Sequence, residues 1–196
     1  MPIHPSSAPR GGPGLLLFAG AGLTLAELTA ARLDGDVVEL GEAYLPADAA
    51  ETPTLRARSL APLVTPDVAL IHASAAWVHG ALAEPPARHS LQRAVPWRLH
   101  QRWGRRFVYR DARIPAEDVV SIGGVGVATV ERTIADLLRR AEPGDRELAA
   151  SLARGHPAAV TASLAWVDGH RSRAGTRAAR ETLRAWRRGD QDEVTR

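Results

Sequence analysis

The chain has no cysteine and no lysine among its 196 residues, and aromatics make up only 5%. Without cysteine it can form no disulfide, no thiolate zinc site and no cysteine nucleophile. That absence fits a cytoplasmic protein. Without lysine it can build no phosphate-loop lysine. All 25 basic residues are arginine, which reflects either a GC-rich genome or selection for guanidinium chemistry. Long apolar runs are also missing. The best candidate, Leu15 to Leu23, reads LLLFAGAGL. It is too short and too glycine-rich to span a bilayer, since a helix needs ~20 apolar residues. As a signal-peptide core it is poorly led, with Arg10 and several prolines before it. No membrane partner is expected.

What is present suits one domain with a small appendage. Hydrophobic content is 45% and the net charge is +3, but the charge is unevenly spread. Residues 1–14 are rich in Pro, Gly and Ser and are expected to be disordered. Leu23 to Leu33 reads as a helix, and Asp36–Leu40 and Ala43–Leu45 read as strands joined near Gly41. A helix followed by a small hairpin is the tail end of a winged-helix unit. From Ala21 to Glu51 a single base, Arg32, faces seven carboxylates.

Pro53 to Val64 is expected to be a helix opened by Pro53. Val68–Ile71 reads as a strand and Ser74–Leu82 as a helix. Strand-like stretches follow at Ser90–Val95, Phe107–Arg110, Val119–Ile122 and Val125–Ala128. Gly123 and Gly124 join the last two as a two-residue hairpin turn. Thr129 caps a helix to Arg140, with Val130, Thr133, Ile134, Leu137 and Leu138 on one face. Arg132 and Asp136 can pair along it, and Arg139 is expected to be dispensable to the fold. Three more helices follow: one from Asp145, as cap, to Arg154; one opened by Pro157 and stopped by Gly169; and Thr176 to Arg188.

No catalytic constellation stands out. His72 and His79 are seven apart but lack HExxH spacing or a third ligand, so no metal is expected. Gly123, Gly124 and Gly126 make a turn rather than a phosphate cradle. Glu117 and Asp118, and Asp190, Asp192 and Glu193, read as solvated charge. No cofactor is implied. The arginine-rich stretches carry the chemical weight. Arg88 to Arg113 holds eight arginines against Asp111. Within it Arg98, Arg102, Arg105 and Arg106 alternate with Trp97 and Trp103. Arg171 to Arg188 holds seven against Glu181. Of these Arg177, Arg180, Arg184, Arg187 and Arg188 cover a ~100° arc of the last helix. Guanidinium clusters suit phosphate backbones, and exposed rings can stack on bases. Solvated helix faces and arginine stems covering apolar surface would look the same in sequence.

Two stretches, IHASAAWVHG from Ile71 to Gly80 and GVGVATVERTIADL from Gly124 to Leu137, resemble the AbiEi-type antitoxins of type IV toxin–antitoxin systems, in their actinobacterial branch. The first is like the family's Ser-His-x-Ser-Ala-Ala helix. The second is like its strand–turn–helix ending Arg-Thr-x-x-Asp-Leu. The strands between them and the final helix, with Gly175 and Arg177 to Leu183, agree in order. The resemblance implies an N-terminal winged helix that binds operator DNA. It also implies a C-terminal α+β domain that supports repression or neutralises a nucleotidyltransferase-like toxin. It does not imply an enzyme. Here the wing, DGDVVELGE from Asp34 to Glu42, is acidic, and little chain precedes Thr24. The wing is therefore expected to keep its fold without reading DNA.

The expected fold is α+β: a truncated winged-helix-like segment at 15–50, a domain at 51–188 with a small antiparallel sheet packed by helices, and a polar tail at 189–196. The expected function is that of a non-enzymatic, cytoplasmic transcriptional regulator and antitoxin. DNA contact falls to Arg98, Arg102, Arg105, Arg106, Arg177, Arg180, Arg184 and Arg187. Two alternatives stand beside it: a protein–protein module binding an acidic partner through the same arginines, and the front end of a short-patch-repair-like endonuclease without its nuclease. The sequence leaves the oligomeric state open.

Overall fold

The computed structural model describes the backbone of residues 14–194 and side chains as far as 188. The expected disordered N-terminus, apart from Gly14, and the side chains of the polar tail lie outside the described residues. The fold is α+β, and the chain divides after Ala50 into two compact units.

In the first unit, helix α1 (Leu25–Asp34) starts on a capping box. Glu27 N donates to Thr24 Oγ1 at 3.2 Å, and Thr24 N donates back to Glu27 Oε2 at 2.7 Å. Gly35, at φ 85°, ends the helix in the left-handed conformation that glycine adopts at low cost. Strands β1 (Val37–Leu40) and β2 (Ala43–Pro46) then form an antiparallel hairpin. Leu17 bridges Tyr44 on the outer side of β2. Leu28, Val37, Leu40, Ala43 and Leu45 are the buried apolar residues of this unit. It contains one helix among the described residues.

The second unit opens with α2 (Pro53–Ser59), which ends five residues before the expected Val64. Pro62 disfavours helical geometry at Ala61, so the helix stops just ahead of it. A five-stranded sheet follows in the order β5-β4-β3-β7-β6. Its strands are β3 (Val68–Leu70), β4 (His89–Arg93), β5 (Phe107–Arg110), β6 (Val119–Ile122) and β7 (Val125–Ala128). The sheet is mixed, which corrects the expectation of an antiparallel one. β3–β4 and β6–β7 pair antiparallel, whereas β3–β7 and β4–β5 pair parallel. The cause is visible at β4–β5. Parallel neighbours need a crossover of a dozen or so residues, and the segment 94–106 supplies it. Between β6 and β7, Gly123 and Gly124 both take positive φ, 58° and 86°, as a type I′ turn requires.

Five helices complete this unit: α3 (His72–Val78), α4 (Val130–Arg140), α5 (Asp145–Gly155), α6 (Ala158–Gly169) and α7 (Thr176–Val194). Thr129 caps α4 by accepting from Arg132 N at 3.3 Å. Ile134, Leu137 and Leu138 of α4 pack with Leu152, Val160, Leu164, Val167 and Leu183 into the helical core. α4 therefore sits among α3, α5, α6 and α7. Burial extends to its polar side as well, where Arg132 and Asp136 are 2% and 8% exposed.

Gly175 fixes the approach of α7 to α4. It has φ 76°, and a Cβ there would lie inside the Arg139 backbone carbonyl. Gly175→Ala is expected to cost on the order of 3 kcal/mol, from a strained backbone plus a steric clash. Chemical denaturation will check this. An unchanged midpoint would contradict the close α4–α7 packing.

Candidate nucleic-acid interface and a buried arginine network

The crossover between β4 and β5 carries four of the arginines expected to touch nucleic acid. Two other arginines shape it. Arg93 Nη1 donates to the carbonyls of Val95, Pro96 and Trp97 at 2.8–2.9 Å, and its Nε donates to Asp111 O at 2.8 Å. Arg88 donates to the carbonyls of Arg105 and Phe107 at 3.1 and 3.0 Å. Trp103 stacks on Tyr109 with centroids 5.4 Å apart and meets Phe107 edge-on at 5.5 Å. Trp103 thus anchors the loop to β5, whereas Trp97 is 59% exposed.

The loop held in this way exposes Arg98, Arg102, Arg105 and Arg106. Arg98 lies 3.8 Å from Asp111, at a surface distance where pairing contributes little. Arg102 and Arg105 have no carboxylate partner among the described residues.

On α7 the expected arginines divide. Arg177 donates to Glu181 at 3.1 Å, one turn on. Arg180 is half-buried, and its Nε lies 2.7 Å from Asp168 Oδ1, in ion-pair contact without hydrogen-bond alignment. Arg180 therefore ties α7 to α6 rather than facing solvent freely. Arg184, Arg187 and Arg188 are exposed and unpaired among the described residues. Leu183 of the same helix is fully buried, so α7 is amphipathic with its cations outward.

A second arrangement lies inside the domain. Arg132 of α4 forms ion pairs with Asp118, on the 3-10 turn before β6, and with Asp136 Oδ2 at 2.6 Å. Asp118 Oδ1 accepts from Trp166 Nε1 at 2.8 Å, and the Trp166 ring lies 4.7 Å from the Arg132 guanidinium. His170 stacks on the Trp166 ring with centroids 4.0 Å apart. Arg139 Nη1 donates to Asp136 Oδ1 at 2.8 Å. Asp118 is 4% exposed, so its reading as solvated charge is corrected. The signal in sequence was the Arg132–Asp136 spacing. Nothing local marked Asp118 or Trp166 as the remaining partners. Asp145 does not cap α5 in the expected way. It accepts from Glu142 N at 3.0 Å and pairs with Arg140.

The two histidines are structural neighbours of α4. His79 Nε2 lies 2.8 Å from Ala128 O. His72 is buried, has φ 50°, and is pushed down to about pKa 4 by burial and then by the Arg140 charge. His79 is also lowered, by burial first. No group of three or more histidines or carboxylates among the described residues is placed to hold a metal. A folded-state pKa below the unfolded value means that the unfolded chain binds the proton first. The stability contributed by neutral His72 is thus present above pH 6.5 and is lost as the pH falls toward 4. The full loss is roughly 3 kcal/mol. His72→Asn should flatten the decline of stability between pH 6.5 and 4, measured by urea unfolding. An equally steep decline in the variant would assign it to other groups.

The family model for the AbiEi antitoxin C-terminal domain matches residues 68–185, which hold the sheet, α3 to α6 and most of α7. The chain belongs to the AbiEi antitoxin family. Among curated proteins none matches it significantly. Among solved structures it is similar to the crystal structure of the RV2827C protein from Mycobacterium tuberculosis. That likeness has 20% identity and a TM-score of 0.34, over 82% of this chain and 69% of that one. Membership in the antitoxin family gives the chain a regulatory role in a toxin–antitoxin system. No described helix is long and apolar enough to cross a membrane.

Proposed function

We propose that this AbiEi-type protein is a non-enzymatic, cytoplasmic transcriptional regulator and antitoxin. Its protein partner is a nucleotidyltransferase-like toxin. It contacts duplex DNA through the β4–β5 crossover and the outer face of α7 rather than through the acidic hairpin of its winged-helix-like N-terminal unit. The observation that carries the DNA reading is the set of exposed arginines without carboxylate partners among the described residues: Arg102, Arg105, Arg184, Arg187 and Arg188. Arg93 and Arg88 support it by presenting the loop in one shape, so less ordering is needed on binding. In the N-terminal unit Arg32, the only base between Ala21 and Glu51, is already 3.3 Å from Glu39. Carboxylates facing phosphates are repulsive, so the acidic hairpin of that unit disfavours phosphate contact.

Binding of the full chain to duplex DNA across a salt series tests the reading. Log K should fall with log salt at about 0.9 per phosphate contacted, giving a slope of several units. The same preparations should leave the DNA uncut. A shallow slope, or metal-dependent cleavage abolished by changing one carboxylate, would overturn it.

A further inference from the structure

Between the end of β5, the last turn of α4 and the α6–α7 connection lies a cleft of about 300 Å³. Its lining gathers five arginines, Arg110, Arg132, Arg139, Arg140 and Arg173, against one carboxylate, Asp136. Three of these arginines have acidic partners. Arg132 has Asp118 and Asp136, Arg139 shares Asp136, and Arg140 pairs with Asp145. Glu142 reaches Arg140 at 3.5 Å and is itself largely exposed. Arg110 and Arg173 have no carboxylate partner among the described residues. Five guanidinium groups therefore meet three buried carboxylates, and positive charge is left over at the mouth.

Two further features belong to residues that line it. Arg139 is one of them, and its Nε is buried with no hydrogen-bond partner among the described residues. Burial first, and then the Arg173 and Arg132 charges, work against its protonated form, and the Asp136 carboxylate offsets this only in part. His72 lines the cleft in a left-handed backbone conformation that a non-glycine residue adopts at a cost, a kind of strain that clusters at binding sites. Its ring is neutral at physiological pH, so it can give one hydrogen bond without adding charge.

The composition selects a ligand. Guanidinium forks match the oxygens of a phosphoryl group in bidentate fashion, and a doubly charged group balances the two unpartnered arginines. The Trp166 ring nearby is already covered by Arg132 and His170, so no aromatic platform is left for a base. The volume is at the low end for small-molecule sites, enough for a phosphoryl group and a short attached part. We propose that this cleft binds a terminal phosphate, as a phosphate monoester or diphosphate, through Arg110, Arg139 and Arg173. Neither Arg110 nor Arg173 belongs to the crossover or to the outer face of α7, so the two sets of arginines can be changed independently.

Calorimetric titration of the full chain with inorganic phosphate and with pyrophosphate, against chloride at matched ionic strength, tests this. Saturable binding to both phosphates and none to chloride is expected. Arg110→Ala and Arg173→Ala should each weaken it roughly tenfold, as loss of one charge-assisted contact does. Arg173→Lys should fall between, since it keeps the charge and loses the fork. Both arginines are exposed, so the variants should melt with the parent. Arg184→Ala should bind phosphate as the parent does, even if it weakens DNA binding. A 5′-phosphorylated oligonucleotide and its unphosphorylated twin distinguish the source. A preference for the phosphorylated strand that disappears in Arg173→Ala assigns the site to nucleic-acid ends; phosphate binding without that preference assigns it to a free small phosphate. Heats no larger than those of chloride, or parent-like affinity in both alanine variants, would overturn the proposal.

Discussion

Arg132→Ala should destabilise the folded domain by about 3–5 kcal/mol, because it leaves buried Asp118 without a cation and buried Asp136 with Arg139 alone. Asp118 and Asp136 both contact Arg132, and each is less than one-tenth exposed. A small protein has about 5–15 kcal/mol in total, so the variant should be partly unfolded at physiological temperature. The mechanism makes a second demand. Replacing the whole set, as Arg132→Met with Asp118→Asn and Asp136→Asn, removes the uncompensated charges and should recover much of the loss. Urea unfolding of the single and triple variants is the measurement. A single variant within about 1 kcal/mol of the parent would mean that the network is solvated in solution.

Leu137→Asp should be at least as damaging. Leu137 is fully buried in the helical core, where an unpaired carboxylate costs several kcal/mol on top of the lost packing. Arg184→Ala, on the exposed side of α7, should change stability by less than about 0.5 kcal/mol. Similar melting temperatures for the two variants would place α4 wrongly.

The elements most legible in the sequence were those encoded by neighbours. Gly123-Gly124 between two short apolar strands specified the β6–β7 hairpin, and the structure has it with both glycines at positive φ. Thr129 and the spacing of Ile134, Leu137 and Leu138 specified α4 and its buried face. What was not legible depended on distant partners. No local pattern distinguishes parallel from antiparallel pairing for β4 and β5, because that is set by how the crossover runs. Asp118 beside Glu117 looked like any polar turn; it is buried only because α4 brings Arg132, and α6 brings Trp166, over it. Trp97 and Trp103 looked alike in the loop. Only one finds an aromatic partner on β5. The eight candidate arginines shared one composition, yet Arg177 and Arg180 are engaged by Glu181 and Asp168, while Arg184 and Arg187 are not.

Nucleic-acid affinity is proposed to lie in the crossover and α7 arginines. The most direct test is the salt dependence of duplex binding for the parent and for a variant with Arg98, Arg102, Arg105 and Arg106 all changed to Ala. If each neutralises one phosphate, the slope of log K against log salt should flatten by about 0.9 per lost contact. Affinity should fall alike for all sequences, because phosphate contacts position without specifying. Arg184→Ala with Arg187→Ala should add a smaller change of the same kind, and Arg32→Ala should change nothing. An unchanged slope in the four-alanine variant, with binding abolished by Arg32→Ala, would contradict the account and make the N-terminal hairpin unit the reader.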